Sequence, residues 1–595
     1  MSTPSLGRSP AGTDRHGVRA FLSGAAGRAT LVGLAGAALI TFGGFGSGAV
    51  RRRDPLLEEM HLSWLRFGHG LVLSTAMVWI GVLLMIAAWV RLGRETLAHR
   101  TTVSRLRWVV PVWIAPLLLA VPMFSRDAYS YLAQGALLRD GFDPYAVGPV
   151  ANPGILLDNV STVWTTTTAP YGPLFLLLGQ GITSLTGDNV IAGTMLLRLT
   201  MLPGLALTMW AVPRIARHFG ADPAVALWLA VLNPLVLVHL IGGVHNEMLM
   251  VGLMTAGIAA VLGHRHVLGM GLVAVAVAIK ATAGIALPFL VWMWMQHERT
   301  RLRAENDARR ERGEPTRQVR TLQLFVKTAG IGFAVFAAVF VVSSAVAGVG
   351  IGWLTALSGS AKIINWLSLP TILAHLVTVG TGWFTGARLG PVLEVTRLLC
   401  AVALAIVLVT AWWRSRHSER SALLGILVSL VAIVILSPAA LPWYYSWPLA
   451  VAAGLTMSIT TLTVLVGLSA WLMLVFQPDG SIGLYTFPHV VLAIVAAVVA
   501  ALSLRQVDPL RLRSVTHPDP EPPFTAAETA SRSAHLPNDT SEAAVAAANP
   551  DDGHTVADPD DGHTVATATP EVRETAEGRE TAEPSTRRSP REVST

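Results

Sequence analysis

The residues able to do chemistry fall in four short clusters. The first is Phe124-Ser125-Arg126-Asp127-Ala128-Tyr129-Ser130-Tyr131, where a carboxylate stands beside a guanidinium. It heads an amphipathic stretch with Ala128, Tyr131, Leu132, Gly135 and Leu138 at helical spacing. A helix lying on the membrane with this carboxylate at its N-terminus can meet a substrate half in lipid and half in water, or Asp127 can simply cap the helix. Asp140 and Asp143, in Asp140-Gly141-Phe142-Asp143-Pro144-Tyr145, suit either a turn or catalysis, and Trp164 and Ala169-Pro170-Tyr171-Gly172-Pro173 follow.

The second cluster consists of cations in unusual surroundings. Arg198 in Leu196-Leu197-Arg198-Leu199 and Lys280 in Ala278-Ile279-Lys280-Ala281 are embedded in apolar sequence, and Arg126, Arg139, Lys362 and Arg388 fall near helix ends. Intramembrane cations are costly and point to function; near headgroup level they pair well with phosphate. Snorkelling to the interface is the plainer explanation. The third cluster, Gly242-Gly243-Val244-His245-Asn246-Glu247, groups polar side chains that either cap a helix or bind a ligand. Leu441-Pro442-Trp443-Tyr444-Tyr445-Ser446-Trp447-Pro448, the fourth, is an aromatic belt or a wall of a carbohydrate pocket. There is no phosphate-cradling Gly-rich loop, nucleophile elbow or Cys/His metal spacing. The single cysteine, Cys400, lies in an apolar run and offers no disulfide framework.

The elements that must carry these clusters are membrane helices. Charged residues are 14% and hydrophobic residues 52%, against about a quarter charged in soluble proteins. Between about residues 29 and 504 apolar runs of roughly 17–25 residues recur, the length of a bilayer-crossing helix. A membrane barrel would show short alternating segments instead. The fold class is therefore all-α and integral to the membrane, with about 13–14 transmembrane helices. Residues 1–27 read as a disordered cytoplasmic lead and 28–505 as the transmembrane domain. Residues 506–595 read as a disordered cytoplasmic tail with too little apolar surface to order. In that tail Asp551-Asp552-Gly553-His554-Thr555-Val556-Ala557 recurs at 560–566, and Arg573-Glu574-Thr575-Ala576-Glu577 at 579–583.

Charge bias sets the orientation. The polar loop 297–320, with Arg299, Arg301, Arg303, Arg309, Arg310, Arg312 and Arg317, belongs in the cytoplasm, as do the basic segments at 91–107, 214–218, 414–420 and 505–513. The 125–170 loop is then external, with the turns at His245, Lys280, 350–390 and 438–445. Both termini are cytoplasmic and the protein sits in the plasma membrane. Tyr171–Thr186 and Leu369–Phe384, short and broken by Gly or Pro, become re-entrant or interfacial. The net charge of +7 orients helices and gives no reason to expect nucleic acid.

Ser125-Arg126-Asp127-Ala128-Tyr129-Ser130-Tyr131, Gly141-Phe142-Asp143-Pro144-Tyr145 and Ala169-Pro170-Tyr171-Gly172-Pro173-Leu174 occur in that order. With Gly243-Val244-His245-Asn246-Glu247-Met248-Leu249-Met250 and Pro442-Trp443-Tyr444, they resemble the polyprenol-phosphate-mannose-dependent α-1,6-mannosyltransferases of actinobacteria. The resemblance covers most of residues 30–505. It implies a GT-C fold with its active site on the outer (periplasmic) face, built around the first large external loop. It also implies inverting transfer of mannose from polyprenyl-phosphate-mannose to a growing, lipid-anchored α-1,6-mannan, towards lipomannan and lipoarabinomannan. By the same resemblance Asp127 is the catalytic base. Arg126, Tyr129, Asp143, Arg198, His245, Asn246, Glu247, Lys280, Lys362, Trp443 and Tyr444 become the substrate-binding set. Many relatives carry two acids where this chain has Asp127 flanked by Arg126, and a monophosphate donor can be held by Arg and Lys, so no metal or other cofactor is expected. The alternatives are a transporter or flippase for a lipid-linked sugar, which should show internal repeats and broken helices, or transfer of another sugar or linkage.

Overall fold

The computed structural model describes residues 24–318 and 320–507, without the side chains of Ser358, Ser360 and Ala361. Most of the expected lead at 1–27 and of the tail at 506–595, with its repeats, lies outside the described residues. The apolar runs fold into helices: α1 (Ala25–Ser47), α2 (Gly68–Leu97), α3 (Val103–Leu117), α4 (Asp127–Arg139), α5 (Pro173–Thr186), α6 (Val190–His218), α7 (Pro223–Ala230), α8 (Glu247–Leu262) and α9 (His266–Val277). There follow α10 (Leu287–Glu311), α11 (Thr321–Ala347), α12 (Leu369–Thr385), α13 (Leu389–Arg414), α14 (Glu419–Leu436), α15 (Ser446–Ala452), α16 (Ile459–Leu474) and α17 (Phe487–Arg505). Among the described residues the one β feature is an isolated bridge between Phe476 and Ile482. The protein is thus a polytopic, all-helical membrane protein.

Among the described residues seven helices are long and apolar enough to cross a membrane, or eight if α7 and Pro234–Gly242, bent by 44°, form one span. The expectation of about 13–14 crossings counts apolar runs of spanning length. The structure breaks several of those runs into shorter pieces, α5, α8, α9 and α16 among them. α5 has 14 residues, about 21 Å of helix against a hydrocarbon core of about 30 Å. Its first residues bond to the turn before Lys280 (Gly172 N to Ile279 O, 3.1 Å). Its far end meets the last residue of α4, whose Arg139 reaches Thr183 O at 3.3 Å and Asp188 at 3.0 Å. The first helix begins at Ala25, four residues before the apolar run at Ala29: Ala25 and Ala26 favour the added turn, which accommodates Gly27. The polar 297–320 segment is also partly helix, since α10 continues through its arginines to Glu311.

Helices in a lipid-like environment associate through close backbone approach rather than apolar burial. α1 meets α2 along a seam of small residues including Gly36, Ala37 and Gly43, facing Gly81 and Ser74. α2 is tied to α7 by two indoles: Trp89 donates to Trp228 O at 3.0 Å and Trp228 to Trp89 O at 2.8 Å, with the rings stacked 5.2 Å apart. These reciprocal bonds satisfy polar groups that would otherwise lie unpaired among apolar atoms.

The turns separate into two poles. At one pole Asp127, His245 and Lys280 meet the 438–445 turn and the 357–365 segment; Lys362 bonds Thr167 Oγ1 at 3.0 Å and Asn365 bonds Ala440 O at 2.9 Å. At the other pole His218 bonds Glu419 at 2.6 Å, and Arg94 reaches the carbonyls of Ser503 and Gln506. The arginine-bearing end of α10 lies with this second group.

Candidate active site

The Asp127 pole is built from two strained turns. Phe124 (φ 62°) precedes Ser125-Arg126-Asp127, and Val244 (φ 61°) precedes His245-Asn246-Glu247. A bulky or β-branched residue in the left-handed region costs about 1–3 kcal/mol and persists where the surroundings over-determine it. The surroundings here are explicit. Phe124 N donates to Pro478 O at 2.8 Å. A short π-helical turn, Leu237–Gly242, shifts the register before Val244, a feature common at functional sites. Gly243 has no room for a side chain, since a Cβ would stand 2.5 Å from His239 O and 2.8 Å from Met123 O.

Arg198 joins the two turns. Its guanidinium, buried at 1% exposure, donates to Leu118 O (2.7 Å) and Ala120 O (2.6 Å) before the first turn. It also donates to Ile241 O (3.0 Å) and Gly242 O (3.2 Å) before the second. The cation that sequence reasoning groups with the substrate-binding residues is fully engaged by backbone.

Held this way, Asp127 faces a cavity of about 390 Å³, within the usual range of ligand pockets. Asp127 is the first residue of α4, and the N-cap position is Arg126, with no side-chain cap bond. The capping explanation for Asp127 therefore does not hold. Behind Asp127 Oδ2 lies His245 Nδ1 at 3.6 Å, itself 4.0 Å from Glu247 Oε2. His245 stacks on Trp443 at 3.9 Å between centroids. Glu247 is fully buried and ion-paired with Lys280. The Lys280 ammonium sits 4.7, 5.5 and 5.8 Å from the ring centres of Tyr444, Trp447 and Tyr171, an aromatic cage that favours the cation. Tyr171 is placed there because Gly172 lies directly on Ala278, where a Cβ would come within 2.3 Å of the carbonyl oxygen.

Burial and the nearby Glu247 carboxylate push the Asp127 carboxyl up to about 6, opposed by Lys280, Ser125 and Trp164. A base must be ionised, so kcat/KM is expected to rise with pH through about 6 and to level off above it. A pH–rate profile measures this; a flat profile from pH 5 to 8 would remove the ionisation of Asp127 from the rate.

Several polar atoms around Asp127 have no hydrogen-bond partner among the described residues. They include both ring nitrogens of His239 and His245, both amide atoms of Asn246, and Glu247 Oε2. Asn246 occupies the N-cap position of α8 but makes no cap bond, so helix capping does not account for it. Native proteins rarely leave such groups unpaired, and their concentration here marks a place built for polar chemistry. The cavity lining mixes polar residues, Ser130, Gln134, Thr167 and Thr168, with apolar ones, Leu357, Ile363, Ile433 and Leu441. The Lys280 ammonium already occupies the place beside Glu247 that a bound cation would take.

Not every sequence-derived candidate reaches this cavity. Lys362 stands at its rim through Thr167. Tyr129 is buried with its hydroxyl donating to Ala49 O at 2.6 Å. Asp143 accepts from Tyr145 N at 2.8 Å, and Asp140 from Arg139 and Asn152, so both shape the loop. Arg126 points away, donating to Asn159 O at 3.0 Å and lining a second, wider cleft of about 830 Å³. Arg51, Arg52 and Arg66 share that cleft, with Arg51 and Arg66 both held by Asp54 at 2.7 Å. Sequence reasoning does not single out these three arginines, His239, Ser130 or Gln134. The Arg51-Arg52-Arg53 run at the end of α1 is the one signal that could have found the cleft.

Fold and site together define a polytopic helical membrane protein in which the Asp127 carboxylate and the Lys280 ammonium line one cavity. Residues 30–296 match the family described as "Alpha-(1->6)-mannopyranosyltransferase, N-terminal domain", and residues 370–506 match "MptB C-terminal domain". The alpha-(1->6)-mannopyranosyltransferase A of Mycobacterium tuberculosis is 56% identical over 81% of this chain and 90% of its own length. The Corynebacterium glutamicum alpha-(1->6)-mannopyranosyltransferase A is 37% identical over 78% of this chain and 95% of its own. Alpha-(1->6)-mannopyranosyltransferase B of the same organism is 29% identical over 70% and 71%. No solved structure matches the chain. The chain belongs to the alpha-(1->6)-mannopyranosyltransferase family and is a glycosyltransferase, working between a sugar donor and a glycan acceptor.

Proposed function

We propose that this enzyme transfers mannose from polyprenyl-phosphate-mannose to the 6-hydroxyl of a growing, lipid-anchored α-1,6-mannan. The observation that carries this reading is one cavity lined by Asp127, Lys280 and apolar side chains, with Lys362 at its rim. The apolar side chains suit the first isoprene units, the cations suit a monophosphate, and the carboxylate suits a hydroxyl nucleophile. In a single displacement the acceptor oxygen bonds to the anomeric carbon as the bond from that carbon to the phosphate oxygen breaks. Asp127 takes the hydroxyl proton, and polyprenyl phosphate leaves with its charge stabilised by Lys280 and Lys362. Such a displacement inverts the anomeric centre, so an α-linked product requires a β-linked donor. His245 and Glu247 hold Asp127 and Lys280 in place from behind. The outer face of the plasma membrane is the side this reading gives the site, because the basic segments at 91–107, 214–218, 297–320, 414–420 and 505–513 belong to the opposite pole and outnumber Arg51, Arg52, Arg53, Arg66 and Arg126 on the Asp127 side, which makes that opposite pole the cytoplasmic one by charge bias. Both ends of the chain then belong on the cytoplasmic side.

The test is a membrane assay with labelled polyprenyl-phosphate-mannose and a short α-1,6-mannoside acceptor. Transfer to the acceptor is expected; lipid movement across the bilayer without transfer would favour a transporter. Lys362→Met sharpens the test, because Lys362 is exposed and among the described residues bonds threonine hydroxyls, so its loss spares the fold. One charge-assisted bond to the donor phosphate is worth about 1.5–3 kcal/mol, so the donor KM is expected to rise about ten-fold or more. An unchanged KM would take Lys362 out of donor binding.

A further inference from the structure

The pole opposite Asp127 carries a cluster that the transfer reaction does not use. His264 and His266 flank Arg265 in the turn between α8 and α9, and His297 lies on α10, thirty-one residues beyond His266. One ligating nitrogen from each of the three lies within 4.8 Å of the others. His266 Nε2 and His297 Nδ1 are 2.7 Å apart, and the His264 ring sits over His297 at 4.1 Å between centroids. His264 is held there in the left-handed region (φ 61°). His266 is fixed by stacking on Trp294 at 5.0 Å with an interplanar angle of 5°.

The other nitrogen of His297 bonds Glu419 on α14, and the second oxygen of Glu419 bonds His218 on α6 at 2.6 Å. Glu419 therefore fixes the His297 tautomer: Nε2 carries the proton towards the carboxylate, which leaves the Nδ1 lone pair facing His266 Nε2. A carboxylate holding the far N–H of a ligating histidine is the arrangement that orients and strengthens metal ligands. Tetrahedral zinc with bonds of about 2.0–2.1 Å needs nitrogens about 3.3 Å apart, a spacing bracketed by the 2.7 and 4.8 Å found here.

We propose that His264, His266 and His297 form a binding site for a divalent transition ion of the zinc type, with Glu419 as the positioning carboxylate. Imidazole donors suit zinc and its neighbours rather than magnesium or calcium. The ion would tie the α8–α9 turn to α10 and, through Glu419 and His218, to α14 and α6. Arg265, Arg299 and Arg303 bring positive charge to this pole, and Glu298 and Glu419 oppose it. The site is separate from the Asp127 cavity, so it neither requires nor alters the mannosyl-transfer reading.

The experiment uses the full chain in detergent, purified without a polyhistidine tag, stripped with chelator and titrated with Zn²⁺ or Co²⁺. The wild type is expected to retain one ion per chain, to show the absorption of tetrahedral Co²⁺, and to melt at a higher temperature with Zn²⁺ than without. His264→Ala, at an exposed position, should lose the retained ion. Glu419→Gln should keep the three ligands and bind roughly 10–100-fold more weakly. Zinc retained equally by wild type and His264→Ala, or no ion and no cobalt spectrum in the wild type, would overturn the site and leave a hydrogen-bonded histidine chain.

Discussion

Asp127→Asn is expected to lower kcat by about 10²–10⁴-fold, the usual contribution of a positioned general base. The substitution is nearly isosteric and keeps an oxygen towards Ser125 and Trp164, so the cavity of about 390 Å³ should persist. What it removes is the ability to accept the acceptor's proton, and the donor KM should move little. Stability should move the other way. The folded carboxyl is raised to about 6 from 3.8. Its contribution to stability is therefore fully present below the ordinary value and lost as pH rises through about 6. Removing the charge should leave the variant at least as stable as wild type at pH 8. Glu247→Gln makes the contrast, because Glu247 is fully buried and ion-paired with Lys280. Breaking that pair leaves a buried ammonium uncompensated and should destabilise the protein. Labelled transfer and thermal unfolding in detergent measure both effects. An Asp127→Asn enzyme turning over at the wild-type rate would remove Asp127 as the base.

The convergence of Asp127, His245, Glu247, Lys280, Trp443 and Tyr444 is legible in the sequence, because each stands out against the apolar residues around it. Their division of labour is not. Arg126 and Asp127 are neighbours in the chain, but at the start of α4 they face different cavities. A one-residue step around a helix is enough to separate them. Lys280 and Arg198 look alike, each a lone cation in an apolar run. Lys280 lines the cavity, whereas Arg198 spends its donors on four carbonyls. His239 is hidden because Val238-His239-Leu240 reads as an ordinary buried segment, and only the π-helical turn brings it beside Phe124 and Trp443. The three histidines at the far pole escape motif reasoning for a similar reason: a gap of thirty-one residues across a helix pair matches no local metal spacing. The fold class follows from apolar run length, but the number of full-length spans depends on where Gly, Pro and 3₁₀ turns such as Ala281–Ala286 interrupt those runs.

Both strained turns of the active site depend on one side chain, which makes Arg198 the second position of large effect. Without its guanidinium, the carbonyls of both turns, Leu118 and Ala120 before Asp127 and Ile241 and Gly242 before His245, lose their shared donor. Arg198→Lys keeps the charge but offers a single tetrahedral nitrogen that cannot span both pairs. Each charge-assisted bond given up costs about 1.5–3 kcal/mol, so the melting temperature should fall. The strain stored at Phe124 and Val244 then has less to hold it, and Asp127 and His245 should drift apart from their 3.6 Å separation. A misplacement of about 1 Å can cost roughly 10²-fold in rate, so kcat of the folded variant is expected to drop by about that factor. The donor KM should change little, because Lys280 and Lys362 are left in place. Arg198 acts by position, so a second readout separates it from a merely structural residue: the rate limb near pH 6 should shift, since the burial and Glu247 proximity that raise Asp127 depend on the same two turns. An Arg198→Lys enzyme with lowered stability but wild-type kcat and an unmoved limb, assayed well below its melting temperature, would show that the turns hold their geometry without it.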